Sequence, residues 1–189
     1  MRVLVAFGSK RGGTEGLAEM IADAMRSDAV TVDTQPAATV RSVEPYDAVI
    51  IAGALYMRRW HRDARRFVRN HAAALRHLPV WFVSSGPLDA SARTTALPPV
   101  PQVARLIQRV GAKGHVTFGG FLAPDAGGFP ARAMAKTSAG DWRDRDHVQE
   151  WVGTVLATLT ARSANPTVPH GPSRRMVDVI PRGGIESTI

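Results

Sequence analysis

The chain has no cysteine among its 189 residues. Disulfides, thiolate metal sites and cysteine nucleophiles are thereby excluded, while the compartment stays unread. No apolar run approaches the length of a membrane span. The first residues already form an apolar strand, so no signal peptide is expected and a cytoplasmic protein is the default. No His/Asp/Glu cluster has metal-ligand spacing, and no internal repeat is visible. Acid is almost missing from one stretch. Between Arg58 and His77 lie Arg58, Arg59, Arg62, Arg65, Arg66, Arg69 and Arg76, against the single acid Asp63, in a chain of net charge +8. Charge of one sign at that density exceeds what solubility needs, although a solvated helix face would also look like this.

What is present begins with the apolar run Arg2-Val3-Leu4-Val5-Ala6-Phe7. Gly8-Ser9-Lys10-Arg11-Gly12-Gly13-Thr14 follows, and then Leu17, Ala18, Ile21, Ala24 and Met25 on one helical face. Strand, glycine loop and helix place backbone N–H groups, two hydroxyls and the positive end of a helix around one point, which suits a phosphate. A P-loop needs lysine where Thr14 stands, so a nucleoside triphosphatase is disfavoured. A dinucleotide fingerprint needs three glycines at a spacing that Gly8, Lys10 and Gly13 do not supply. The pattern Ser/Thr-x-Ser/Thr-Gly-x-Thr, the FMN phosphate loop of flavodoxins, is matched by Ser9, Gly12 and Thr14. Arg11 replaces one hydroxyl residue of that pattern. An ordinary strand-to-helix turn is the alternative for this segment alone.

Further apolar runs read as buried strands: Val30–Val32, Ala48–Ala52, Val80–Val83 and His115–Phe118. Near-continuous apolar strands suit a parallel sheet covered on both faces. Helical stripes alternate with them over Asp63–Arg76, over Val103–Val110 stopped by Gly111, and over Val148–Leu159 with Asp141 or Asp144 as cap. Five strands alternating with helices predict a doubly wound α/β sheet with its site at the carboxyl ends of the strands. The loops 8–14, 53–59 and 84–88 should form that site. Residues 123–140, with Pro124, Gly127, Gly128 and Pro130, interrupt the path to the last helix, and a short helix is expected over Phe129–Lys136. Residues 1–162 read as one domain. Residues 163–189, rich in proline, read as a flexible tail in which Met176–Ile180 could pair at a sheet edge.

The three loops together resemble the flavodoxin family. Tyr46–Gly53 followed by Ala54-Leu55-Tyr56 looks like its third strand and second flavin loop, and Ser84-Ser85-Gly86-Pro87-Leu88 like its third loop. Gly140-Asp141-Trp142-Arg143-Asp144, leading into Trp151, resembles the flavodoxin-domain subgroup that includes the menaquinone-dependent protoporphyrinogen oxidases. So does the aromatic loop that runs into a basic helix from Tyr56 to His71. The resemblance spans about Met1 to Ala161. It implies a three-layer flavodoxin-like five-stranded parallel sheet of order 2-1-3-4-5, with FMN as cofactor. Ser9, Lys10, Arg11, Gly12, Gly13 and Thr14 would hold its phosphate. Ala54, Leu55, Tyr56 and Met57 would lie against the isoalloxazine ring. Ser84, Ser85 and Gly86 would meet the polar edge or the ribityl chain, with a backbone donor left uncovered at Gly86. Trp60 could stack on the ring or pack under the following helix.

The chain departs from typical flavodoxins, which are acidic. Arginine near the ring should stabilise an anionic reduced flavin and favour two-electron chemistry over a one-electron shuttle. Two functions are therefore carried forward. One is an FMN oxidoreductase passing electrons to a quinone or another acceptor. The other is an electron-transfer module docking an acidic partner. Arg58, Arg59, Arg62, Arg66 and Arg69 are the expected docking residues, with Arg76 on the same stripe. Their partner would be an anionic small-molecule substrate, an acidic redox protein, or an anionic membrane holding quinone at the inner face of the cell membrane. Nucleic acid is disfavoured because no recognised DNA or RNA module accompanies the arginines. A phospho-receiver domain would need acids after the first strand, where Phe7-Gly8-Ser9 has none. His61, His71 and His77 are candidate catalytic groups, His71 being better placed for a structural role. No catalytic residue is assigned.

Overall fold

A computed structural model describes residues 1–127 and 131–164. The order of elements is β1 (Arg2–Gly8), α1 (Gly13–Met25), β2 (Thr31–Pro36), β3 (Ala48–Tyr56), β4 (Arg59–Trp60), α2 (Arg62–Asn70), α3 (Ala72–Leu75) and β5 (Val80–Ser85). Then come α4 (Ser91–Thr94), α5 (Pro101–Val110), β6 (Gly114–Phe118), β7 (Phe121–Leu122), α6 (Ala131–Ser138), β8 (Gly140–Asp141) and α7 (Arg145–Ala164). The main sheet has the order β2-β1-β3-β5-β6, and its five long strands are parallel. This is the expected 2-1-3-4-5 arrangement. The short β4 folds back antiparallel on the end of β3, and β7 pairs with β8 in a separate ribbon.

Alternation along the strands explains the continuous apolar runs. Val3, Val5, Ile50 and Val83 face α1 and α7, where Leu17, Ile21, Val148, Val152 and Val155 complete one core layer. Leu4, Ala6, Val49, Ile51 and Phe82 point to the opposite face, against Phe67, Val68, Leu75, Val103 and Leu106. A strand covered on both faces has no position left for a polar side chain, so the period-2 signal vanishes from its sequence.

The local signals act where chemistry requires. Gly111 ends α5 with φ 65°, a left-handed turn that costs glycine little. Asp144, not Asp141, caps α7, its Oδ1 accepting the His147 N–H at 3.0 Å. Three expectations shift. The strand at Val30–Val32 runs on to Pro36, while Val30 itself forms only a bridge with Ser27. The helix expected over Asp63–Arg76 is divided at His71, whose ring tilts against Phe67 at 4.8 Å. The short helix after the fifth strand occupies Ala131–Ser138. The last helix extends through Ala164, and the remainder of the expected tail lies outside the described residues, including Met176–Ile180. Among the described residues no helix is long and apolar enough to cross a membrane.

Candidate functional site

Register aligns the loops. Gly8 of β1 pairs with Gly53 of β3, Gly53 with Ser84 of β5, and Ser84 with Thr117 of β6. One row of residues thus crosses the carboxyl end of the sheet, and the three expected loops leave from it side by side. The row lies at the switch point, where the chain leaves β1 to one side and β3 to the other. Both glycines are steric necessities. A Cβ on Gly8 would sit 2.9 Å from His61 Nδ1 and 3.0 Å from the Ala64 nitrogen, and one on Gly53 would sit 2.4 Å from the Trp60 ring. Their absence lets the start of α2 close onto the first loop.

The first loop has the features of an anion cradle. Gly12 adopts φ 77° as N-cap of α1, with no side chain capping the helix and open space where its Cβ would stand. The first N–H groups of α1 therefore await an acceptor. Thr14 is only 2% exposed, but its hydroxyl keeps access to solvent and makes no hydrogen bond among the described residues. Lys10 is exposed beside them. Arg11, expected among the phosphate-holding residues, donates through one guanidinium nitrogen to the Gly127 carbonyl at 2.8 Å.

The second loop is a hairpin. Leu55 pairs with Trp60 and Tyr56 with Arg59, which leaves Met57 and Arg58 as a two-residue turn with φ 46° and 59°. Both values are left-handed, as a type I′ turn demands. Ala54 and Leu55 are half-buried, Tyr56 is 37% exposed, and Met57 at the tip is 75% exposed. Trp60 takes the second of its two expected roles. It is buried and stacked on Phe82 at 5.3 Å, which removes it from any ligand.

In the third loop Ser84 and Ser85 are buried and Gly86 is half-buried. The Ser84 hydroxyl is bonded to His115 Nε2 at 3.0 Å. Burial of that imidazole lowers its pKa from 6.5 to about 4. The Gly86 N–H donates to the Phe118 carbonyl at 2.9 Å, so the backbone donor expected there is already used. The Ser85 hydroxyl has no partner among the described residues. Loops two and three meet where Leu55 Cδ2 comes within 3.8 Å of the position a Gly86 Cβ would take.

Two structural roles escaped sequence reasoning. His61 caps α2, its Nδ1 accepting the Asp63 N–H at 3.3 Å. Burial lowers its pKa, Asp63 opposes that shift, and Arg62, Arg65 and Lys10 add to it. Arg143 plays the second. Its Nε donates to Asp141 Oδ1 at 2.7 Å, another of its nitrogens lies 3.3 Å from the Gly13 carbonyl, and its guanidinium covers the Phe121 ring. The same bond holds the Asp141 carboxyl below its ordinary pKa. A Cβ on Gly16 would collide with Arg143, and one on Gly13 would come within 3.1 Å of the Phe121 carbonyl. The segment after β6 thus clamps the outer side of the phosphate loop. The signal available was the Gly140-Asp141-Trp142-Arg143 motif, which carries no mark of its partner 130 residues away.

The arginines divide. Arg58, Arg59, Arg62, Arg66 and Arg69 are all exposed, while Arg76 leaves the expected stripe and donates to the Arg109 carbonyl at 2.9 Å. Division of the helix at His71 causes that departure. Two cavities lie elsewhere, one of about 130 Å³ between α1 and α7 and one of about 230 Å³ beside β6. Neither is lined by the three loops, and both are smaller than ordinary cofactor sites of roughly 300–1,000 Å³.

A parallel sheet of order 2-1-3-4-5 with helices on both faces defines a doubly wound α/β protein of the flavodoxin-like fold. The family model for the flavodoxin domain matches residues 4–138. The chain belongs to that flavodoxin-domain family. No curated protein matches it. Among solved structures, a cysteine-to-serine mutant of flavodoxin from Pseudomonas aeruginosa is similar at 14% identity and TM-score 0.57, over 85% of this chain and 99% of that one. Oxidised flavodoxin 2 from Bacillus cereus is similar at 15% identity and TM-score 0.54, over 84% and 99%. The rubredoxin oxygen:oxidoreductase of Desulfovibrio gigas is similar at 12% identity and TM-score 0.59, over 86% of this chain and 37% of that one. At these identities the likeness is one of fold.

Proposed function

We propose that the chain binds FMN at the three loops and acts as an FMN-dependent oxidoreductase. The reaction most in keeping with its motifs is a protoporphyrinogen-oxidase-like dehydrogenation, with electrons passed to a quinone or another acceptor. One observation carries the cofactor reading: a Thr14 hydroxyl that makes no hydrogen bond among the described residues and keeps access to solvent, beside the open N-terminus of α1 behind left-handed Gly12. A phosphate accepts from such groups without displacing any protein hydrogen bond. Ser9, Gly12, Gly13 and Thr14 would hold the phosphate, with Lys10 adding charge. Arg11 and Arg143 shape the loop from outside through Gly127 and Gly13. Ala54, Leu55 and Tyr56 would present apolar surface to the ring, with the Ser85 hydroxyl at its polar side. When bound, FMN would supply hydride or single-electron transfer. The chain's own part is to orient it and to surround it with positive potential from Lys10, Arg58, Arg59 and Arg62.

The finer reaction rests on the Gly140–Asp144 motif and on the aromatic hairpin that leads into a basic helix. A second reading, a non-enzymatic electron carrier, is favoured by the likeness to flavodoxins alone. The test is to load the purified protein with FMN and with riboflavin, which lacks the phosphate. FMN should bind much more tightly, and Thr14→Ala should close most of that gap. Equal affinity for the two would sink the phosphate assignment. Photoreduction then separates the readings. Little half-reduced flavin supports the enzyme, and abundant stable half-reduced flavin supports the carrier.

A further inference from the structure

We propose that the Tyr56–Arg59 hairpin tip and the exposed face of α2 form a docking surface for a partner protein that presents clustered Asp and Glu carboxylates. The inference deepens the function above and rests on it for its purpose, while the binding itself needs no flavin.

Four observations converge on this surface. Met57 and Arg58 hold the left-handed conformation that a type I′ turn ordinarily gives to Asn and Gly. Side chains kept where glycine would relax the backbone point to a use for those side chains. Met57 is the most exposed large apolar residue among those described, and Tyr56 stands next to it. Arg62, Arg66 and Arg69 fall at i, i+4 and i+7 of the exposed face of α2, whose other face is anchored in the core by Ala64, Phe67 and Val68. Finally, the charge is unanswered. Arg58, Arg59, Arg66 and Arg69 have no ion pair or hydrogen bond among the described residues, and Arg62, 84% exposed, has only the neighbouring Asp63 at 3.4 Å.

Like charges held this close repel one another until an anion arrives. An adaptable apolar tip inside a field of arginines is the composition of a protein-binding hot spot. Guanidinium forks match carboxylates in a bidentate way that an ammonium group does not. An anionic bilayer would offer charge but has little to grip here. A whole myristoyl chain gives only marginal membrane binding, and the Met57 side chain is far shorter. The observations therefore favour an acidic protein over a lipid surface. Its position is set by the fold, because the hairpin is the second loop of the candidate site and Gly8 of the first loop packs against His61 at the start of α2.

The experiment uses the full chain, with and without FMN. Fluorescence anisotropy follows a labelled hexaglutamate peptide, and co-sedimentation follows vesicles containing phosphatidylglycerol. The charge-conserving triple variant Arg62→Lys, Arg66→Lys and Arg69→Lys should bind the peptide roughly fivefold or more weakly than wild type, since only the fork geometry is lost. Met57→Asp should also weaken it. FMN affinity of an Arg66→Lys and Arg69→Lys double variant, measured alongside, should not change. If the lysine variant binds the peptide as wild type does, the carboxylate-recognition proposal is overturned. Sedimentation with the vesicles without peptide binding overturns it in favour of a membrane. Failure to bind FMN with peptide binding intact would count against the cofactor reading and leave this one standing.

Discussion

Thr14 and His115 show how single residues acquire meaning from their surroundings. The Thr14 side chain is nearly buried, but its hydroxyl keeps access to solvent and makes no hydrogen bond among the described residues, so no protein hydrogen bond depends on it. Thr14→Val should leave folding stability within about 0.5 kcal/mol of wild type. It should weaken FMN by about 1.5–3 kcal/mol, the worth of a hydrogen bond to a charged group, and leave riboflavin untouched. Parallel fluorescence titrations check both parts. His115 works through linkage. Its imidazole has a pKa of about 4 in the folded protein against 6.5 as its ordinary value. The unfolded chain therefore takes up the proton first, and stability is fully present above pH 6.5 and lost as pH falls towards 4. The loss should reach about 2–3 kcal/mol in urea melts across that window. His115→Gln should flatten the curve; an unchanged curve would mean that another group controls it. Only one of the two is legible in the sequence: Thr14 matches the phosphate-loop pattern, while His115 carries no motif. A threonine after two glycines signals a loop, but its missing partner is a tertiary fact, and His115 reads only as one letter of a strand.

Among the elements, the β3–β4 hairpin departs furthest from expectation. An aromatic loop was legible from Leu55-Tyr56-Met57, but the turn was not, because Met-Arg has none of the chemistry that marks a type I′ turn. The turn is held by its pairing: Trp60, buried against Phe82, fixes one strand of it, and β3 fixes the other. Replacing Met57→Asn together with Arg58→Gly should relieve left-handed strain and stabilise the fold by about 1 kcal/mol in total. The same variant should bind the acidic peptide less well, a gain in stability set against a loss in docking. If thermal melts show no stabilisation, the strain is absorbed elsewhere. The amphipathic elements behaved as their spacing required. α5 ended at Gly111 and α7 buried Val148, Val152, Val155 and Leu159. Only the basic helix diverged, by dividing at His71, and that division carried Arg76 away from the docking stripe.

On the scale of the whole molecule, ligand binding and stability are one equilibrium. FMN at a hundredfold excess over its Kd should add about 2.7 kcal/mol to folding stability, while riboflavin at the same concentration should add less. For a domain of this size that corresponds to a rise in Tm of roughly 5–10 °C, read by differential scanning calorimetry. Equal shifts for the two flavins would argue that the phosphate loop is idle. By itself the sequence determined the doubly wound α/β class and the two-faced core, while the strand order came from the resemblance to the flavodoxin family. Class and core were legible because continuous apolar strands and amphipathic helices leave few ways to bury their surfaces, and the crossover rule then limits the topology. Only the tertiary structure decided which polar groups are left over. The free hydroxyl of Thr14, the spent N–H of Gly86, the clamp of Arg143 on Gly13 and the turn at Met57-Arg58 all depend on residues far apart in the chain. Partner choice for a polar group is set by distance and angle after packing, and neither quantity is written in residue order.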